Sequence, residues 1–166
     1  MDDALRALGC LALGSRLKRV GEHLQQQTQE ILESFGISLT AAHFPVLAAL
    51  DRAGPMSIGA LTQVLGIAQP GVTRFVNTLA EQGLVDIEPD GEDRRMRVVA
   101  LSAEGRRLVG RAKKLVWPAV ERAVVDASSF APGSLLDQIA KLEAALDEKR
   151  LIARTVRRRS TADASA

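Results

Sequence analysis

The chain has 166 residues, a formal net charge of +2, 46% hydrophobic residues and 25% charged residues, which is enough to bury a core without disulfides or a metal. Aromatic residues make up only 3%, so the core must be aliphatic, which favours helices over a β-sandwich. A single cysteine excludes an intrachain disulfide framework and a thiolate zinc site, and we expect no metal or cofactor.

The N-terminal segment, residues 4–35, has apolar residues at helical spacing. They are Leu5, Leu8, Leu11, Leu17, Val20, Leu24, Ile31 and Phe35. Gly36 is a candidate stop for this helix. A lone helix of this length cannot bury such a stripe, so we expect a partner surface, for which another chain is one candidate. No apolar run reaches the roughly 18 residues needed to span a bilayer, and Arg6 interrupts the first stretch. We therefore expect a cytoplasmic protein with no membrane partner.

The next elements are three shorter helices. Thr40 is a candidate N-cap for the first, in which Pro45 favours a later start or a bend. Ser57 caps a helix over 57–65, which Gly66 ends. The third helix is predicted over 69–82.

Two short alternating runs follow, at 84–88 and 95–101, around a Pro-Asp-Gly turn, and they predict a β-hairpin. Ser102 then caps a long helix over 103–127, and Ser134 opens a last helix that ends near 152. Residues 153–166 are basic and then small and polar, and we expect them to be disordered.

The order helix, glycine turn, helix, hairpin is typical of a winged helix-turn-helix, although a generic helical hairpin would share part of the pattern. The predicted fold class is therefore mostly α with a small β-hairpin wing.

The polar face of the predicted 69–82 helix is the first candidate site. It consists of Gln69, Gly71, Thr73, Arg74 and Asn77. Side chains of these polar types contact base edges in the major groove of DNA. A merely solvated face is the alternative, but such a face usually mixes acids with bases, and here no acid precedes Glu81.

The hairpin tip is the second candidate site. Arg94 and Arg95 stand at the tip and Arg97 follows, and an arginine on a wing can enter the narrow minor groove. Asp93 would orient the guanidinium group of Arg95 or Arg97 rather than contact DNA. A charged, solvated tip is the alternative. The next helix adds cations suited to DNA phosphates. They are Arg106, Arg107, Arg111, Lys113 and Lys114.

The run from Leu65 to Val76, together with Leu79 and Gly83-Leu84-Val85, resembles the MarR family of multiple antibiotic resistance regulators. The segment from Asp93 to Gly105 is similar to that family's wing signature, with Ser102 in place of a threonine. Thr40, Phe44, Val46 and Leu47 resemble the opening of its second helix. The resemblance covers about residues 5–150.

The resemblance implies a sequence-specific homodimeric repressor of double-stranded DNA. Residues 1–35 and 103–152 would form dimerisation helices around the winged helix-turn-helix region 36–102, and a pseudo-palindromic operator would present half-sites about 34 Å apart. Two departures stand out: Ala68 occupies the position of a usual capping serine, and Gly71 that of a usual hydroxyl residue.

Family members often respond to small phenolic or lipophilic effectors, and the resemblance offers Phe35, His43, Phe44 and Trp117 as lining residues. A place in the plain core is the favoured alternative for each, and a solvent-facing helix position is a further alternative for His43. Cys10 resembles the reactive cysteine of peroxide-sensing relatives, but the chain has no tyrosine to assist the thiol, and a small buried apolar residue at the dimer seam is the favoured interpretation. A redox-sensing regulator and a winged-helix interaction module without DNA binding thus stay open. No nucleophile–base pair or phosphate loop indicates an enzyme.

Overall fold

A computed structural model describes residues 3–89, 97–130 and 132–155. Within these ranges the chain is mostly helical with a small antiparallel sheet, which confirms the predicted fold class. The helices are α1 (Ala4–Ala7), α2 (Leu13–Ser34), α3 (Phe44–Ala53), α4 (Ile58–Leu65), α5 (Gln69–Glu81), α6 (Ala103–Ala127), α7 (Leu135–Glu148) and α8 (Leu151–Thr155). The strands are β1 (Met56–Ser57), β2 (Val85–Pro89) and β3 (Arg97–Leu101).

The N-terminal segment is broken, so the prediction of one helix over 4–35 is wrong at its start. Asp3 caps α1 by accepting a hydrogen bond from the backbone N–H of Leu5 (3.1 Å). Gly9 then takes a positive φ of 54°, which a continuous right-handed helix does not allow, and a 3-10 turn (Gly9–Ala12) leads into α2.

The end of α2 agrees with the prediction that Gly36 stops it. Gly36 has a φ of 69°, and its N–H donates to the carbonyl of Glu33 (2.8 Å). The N–H of Ile37 donates to the carbonyl of Leu32 (3.0 Å), which completes a Schellman motif.

The next helix begins later than Thr40. Thr40 precedes a 3-10 turn (Ala41–His43) without a side-chain cap, and the backbone N–H of Ala41 is satisfied by Gln29 Oε1 (2.8 Å). α3 starts at Phe44, which places Pro45 in its first turn, where the missing N–H costs nothing.

The helix-turn-helix forms as the sequence predicts. Ser57 Oγ accepts from the N–H of Ala60 (3.1 Å) at the start of α4, and Gly66 ends that helix in the left-handed conformation. The apolar side of α5 is fully buried in the core through Val72, Val76 and Leu79.

The sheet has the order β1-β3-β2, with Val85 opposite Leu101 and Pro89 opposite Arg97. β1 is an unpredicted third strand, in which Met56 pairs with Val99. The predicted hairpin is confirmed as this β2–β3 pair, and its connecting residues 90–96 lie outside the described ranges.

Two compact units divide the chain, Met1–Glu121 and Arg122–Ala166. The first holds a continuous aliphatic core to which Leu47, Leu61 and Val109 belong. In the second, Ser134 Oγ caps α7 through the N–H of Asp137 (3.3 Å), and α7 buries none of its residues. The predicted last helix is therefore two helices, and α8 extends past residue 152 into the segment expected to be disordered, of which residues 156–166 are not described.

No helix in the described part of the chain is both long and apolar enough to cross a membrane.

Candidate functional site

The exposed side of α5 gathers most of the polar residues that the sequence singled out. Gln69, Arg74 and Asn77 are exposed, and Thr73 is half-buried beside them. They line one open groove together with Pro70, Thr78 and Glu81. This arrangement follows from helical periodicity, because the apolar residues of α5 occupy the opposite side.

Two residues differ from the expected face. Gly71 lies at its edge, half-buried, and an added Cβ would meet Ile67 Cγ2 at 3.0 Å, so Gly71 lets α5 approach the preceding turn. Thr78 does line the groove, although sequence reasoning missed it. Its place four residues after Arg74 on the helix could have identified it.

Charge on this surface is unbalanced. Arg74 has no acidic partner within 4 Å among the described residues, and Glu81 in the last turn is the first acid of the helix. The N-terminal end of α5 also carries the positive end of the helix dipole. The first three turns of α5 therefore present cationic and hydrogen-bonding groups to solvent.

The wing is only partly described. Arg97 is exposed at the start of β3. Asp93, Arg94 and Arg95 lie outside the described residues, so their contact with the minor groove and the orienting role of Asp93 stay predictions.

The candidate effector residues occupy different environments in the first unit. Phe44 is part of the core, while Phe35 and Trp117 are half-buried against it. His43 is 9% exposed, which rules out a solvent-facing position, and its ring meets Phe75 edge-on with centroids 5.0 Å apart.

His43 also has an unsatisfied polar atom. Its Nδ1 is the one buried side-chain nitrogen or oxygen in the described ranges that lacks a hydrogen-bond partner. An unpaired buried polar atom is costly, so His43 is the strongest of the four candidates for contact with a polar ligand. An effector role for all four stays a prediction.

The candidate redox residue, Cys10, is exposed in the 3-10 turn before α2. Arg6, one of the cations near it in sequence, lies 3.6 Å from the Asp3 carboxylate and is partly neutralised. A redox function of Cys10 stays a prediction.

Part of the chain matches a known family. A profile of the MarR family matches residues 35–96, which begin directly after α2, include β2 and end before β3. The match covers 62 of the 166 residues, and this segment is therefore similar to the MarR family.

One relative is the transcriptional activatory protein BadR of Rhodopseudomonas palustris, 31% identical over 96 residues that cover 56% of this chain and 54% of BadR. The chain thus spans about half the length of the curated relatives it matches.

Two solved structures share the fold. A mutant of MarR from E. coli, crystallised with operator DNA, superposes with a TM-score of 0.67 at 23% identity, over 89% of this chain and 98% of that one. BpsR of Bordetella bronchiseptica gives a TM-score of 0.60 at 24% identity, over 82% and 91%. That structure addresses the regulation of DNA binding by 6-hydroxynicotinic acid.

Proposed function

We propose that this chain is a MarR-type, sequence-specific, DNA-binding transcriptional regulator that inserts α5 into the major groove. The observation that carries the proposal is the exposed α5 surface, on which Arg74, Asn77 and Gln69 stand together without an acid before the last turn. Arginine contacts guanine, and asparagine or glutamine contacts adenine, through paired hydrogen bonds. The operator complex of E. coli MarR, which shares the fold, supports this assignment.

We further propose that the working unit is a homodimer. α2 exposes a regular apolar stripe, and α7 exposes a second one. The α2 stripe is Leu13, Leu17, Val20 and Leu24, and the α7 stripe is Leu136, Ile139, Leu142 and Leu146. Rows of half-exposed leucines favour burial against another chain. Two copies related by a two-fold axis would present two α5 helices to half-sites about 34 Å apart.

We propose that the regulator acts as a repressor that a small lipophilic or phenolic ligand releases. The unpaired Nδ1 of His43, which contacts Phe75 on α5, supports a ligand position coupled to the DNA-contacting helix. The direction of regulation is tested by fusing the target promoter to a reporter in a strain that lacks the gene for this protein. Reporter expression rises if the protein is a repressor, and it falls if the protein is an activator, as BadR is named.

A gel-shift assay with Arg74→Ala tests the DNA contact. The probe is the DNA upstream of the chain's own gene, compared with an unrelated duplex. Loss of a paired contact to a base should cost about 1–3 kcal/mol of operator affinity and leave the unrelated duplex nearly unaffected.

The matched control is Arg52→Ala, which removes an exposed arginine from the last turn of α3. Equal losses for Arg52→Ala and Arg74→Ala would contradict insertion of α5. If the wild-type chain bound neither duplex at low salt, it would be a winged-helix interaction module instead.

A further inference from the structure

A second basic surface lies on α6, on the side that faces away from the core. Its groove has a volume of about 400 Å³ and is lined by six residues. They are Arg106, Arg107, Gly110, Arg111, Lys114 and Leu115. We call this surface the α6 basic groove. The core-facing side of the same helix carries Gly105, Val109, Ala112 and Val116.

Two guanidinium groups of the groove are held in place without being neutralised. Arg106 Nη1 donates to the carbonyl oxygen of Leu101 (2.7 Å), and Arg111 Nη2 donates to the carbonyl oxygen of Phe35. Each bond uses one of five N–H donors and leaves the positive charge unpaired. Fixing a long side chain in advance lowers the entropy lost when it binds a ligand.

The ion pairs of α6 leave most of the groove's charge free. Arg107 is bound by Glu104 one turn earlier (Nε to Oε2, 3.0 Å). Lys114, Arg106 and Arg111 have no acidic partner within 4 Å in the described ranges. Lys113 differs from them, because it pairs with Asp51 and lies 5.8 Å from the Trp117 ring.

Packing does not require a glycine at Gly110. A Cβ there would meet nothing within 4 Å, and its backbone φ is not in the left-handed region. A glycine inside a helix nevertheless costs about 1 kcal/mol relative to alanine. At Gly105, by contrast, a Cβ would overlap the Leu84 carbonyl oxygen. Gly110 therefore keeps the floor of the groove open between the cations.

We propose that the α6 basic groove is an oxyanion-binding site, which takes a phosphate or carboxylate group over Gly110 between Arg106, Arg111 and Lys114. Guanidinium groups suit such planar or tetrahedral anions because they donate in pairs. The anion is either a backbone phosphate of bound DNA or a free small anion, and only the first source rests on the proposed function.

The first arm of the test uses no DNA. Inorganic phosphate is compared with chloride at equal ionic strength, and the unfolding temperature is measured for the wild type and two variants. Phosphate should raise this temperature for the wild type but not for Arg106→Gln/Lys114→Gln. Gly110→Leu should fold, since its Cβ meets open space, and should lose the phosphate effect because its side chain fills the groove. Lys113→Gln, the matched control, should keep it.

The second arm measures the salt dependence of DNA binding. If the groove holds backbone phosphates, Arg106→Gln/Lys114→Gln should lower the slope of log affinity against log salt by about 2, equally for operator and unrelated duplex. A free-anion site would show the phosphate effect of the first arm with an unchanged slope. Arg74→Ala, in contrast, should weaken operator binding alone.

Three results would overturn the proposal. In the first, phosphate and chloride change the unfolding temperature of the wild type equally, and the slope of log affinity against log salt is the same for the wild type and the double variant. Lys113→Gln could lose the phosphate effect as fully as the double variant does. The double variant could become a monomer where the wild type is a dimer, which would make these cations partners of a second copy. A wild type that binds phosphate but no DNA would sink the proposed function and leave this site standing as a free-anion site.

Discussion

Gly105 lies where α6 packs tightly against the backbone just before β2. Its N–H donates to Ser102 Oγ (3.0 Å), and Ser102 Oγ donates to the carbonyl of Gly83 (2.6 Å). A Cβ at Gly105 would overlap the carbonyl oxygen of Leu84. We expect Gly105→Ala to lower the free energy of unfolding by about 3 kcal/mol, because backbone rather than a flexible side chain must move. Urea denaturation at a fixed protein concentration measures this loss.

The control for this change lies five residues further along the same helix. Gly110→Ala meets open space and should stabilise α6 by up to about 1 kcal/mol. A Gly105→Ala protein that unfolds at the wild-type urea concentration would show that α6 does not approach Leu84 so closely.

Gly105 and His43 show how far the sequence predicts the role of a single residue. Gly105 belongs to the pattern that resembles the MarR wing signature. A glycine is required there because of a tertiary contact with Leu84, and the spacing of residues in the sequence does not reveal that contact. His43 was open between the core, a ligand pocket and solvent, and only the position of Phe75 shows that its ring is buried.

The start of α5 has no side-chain cap. Ala68 has extended backbone angles suited to an N-cap but no side-chain oxygen. Pro70 has no N–H, so the N–H of Gly71 is the group that a serine at 68 would reach, as Ser57 reaches Ala60. We expect Ala68→Ser to raise the free energy of unfolding by about 1 kcal/mol.

The matching variant is Ser57→Ala, which removes the cap of α4 and should cost about 1 kcal/mol in the same assay. If Ser57→Ala destabilises the protein while Ala68→Ser has no effect, the existing bond from Gly71 N–H to the Ala68 carbonyl (2.8 Å) already satisfies that donor.

Most elements followed from periodicity and stop signals, and the exceptions have physical causes. Gly36 and Gly66 end helices at positive φ, as their positions predict. Gly9 breaks the first helix although the apolar pattern runs through it, because the pattern reports side-chain burial and not backbone angles. β1 is two residues long, too short for an alternating pattern, and it exists because β3 offers it a free edge.

The N-terminus is tethered to α2 by a pair of charges. Arg19 Nη2 lies 2.7 Å from Asp3 Oδ2, and this hydrogen bond, with the backbone N–H of Leu5 and the charges of Arg19 and Arg6, lowers the pKa of Asp3 against a smaller desolvation effect. A lowered carboxyl pKa stabilises the folded tether above the unfolded-state pKa, near 3.9, and this contribution is lost as pH falls through the folded value.

We therefore expect amide protection in α1 to fall in the wild type as the pH drops below about 4. In Asp3→Asn the protection should be low already at pH 6 and should not change with pH. Amide exchange at the N-terminal residues, compared between the two proteins from pH 6 to pH 3, measures the effect. Protection that stays constant in the wild type down to pH 3 would show that the Arg19 contact does not hold α1.

The apolar stripes of α2 and α7 are predicted by sequence periodicity, but they are exposed on the described part of a single chain. Periodicity places Leu17, Val20 and Leu24 on one side of a helix, and the structure leaves each at least 40% exposed. Apolar rows exposed to this degree at helical spacing favour burial against a second surface, which the proposed homodimer would supply.

A paired substitution in the α2 stripe tests the proposed homodimer. Each half-exposed leucine buried by a second copy contributes about 1 kcal/mol, and a buried unpaired carboxylate costs more than that. Leu17→Glu/Leu24→Glu should therefore shift the mass measured by light scattering from twice 17.8 kDa to 17.8 kDa. The same variant should lose cooperative binding to a two-half-site operator.

Val64→Glu is the control, because it alters an apolar residue of α4 that is 60% exposed and lies outside both stripes, so this variant should remain dimeric. A wild type that is already monomeric at micromolar concentrations would contradict the dimer, and with it the spacing of two α5 helices one DNA turn apart.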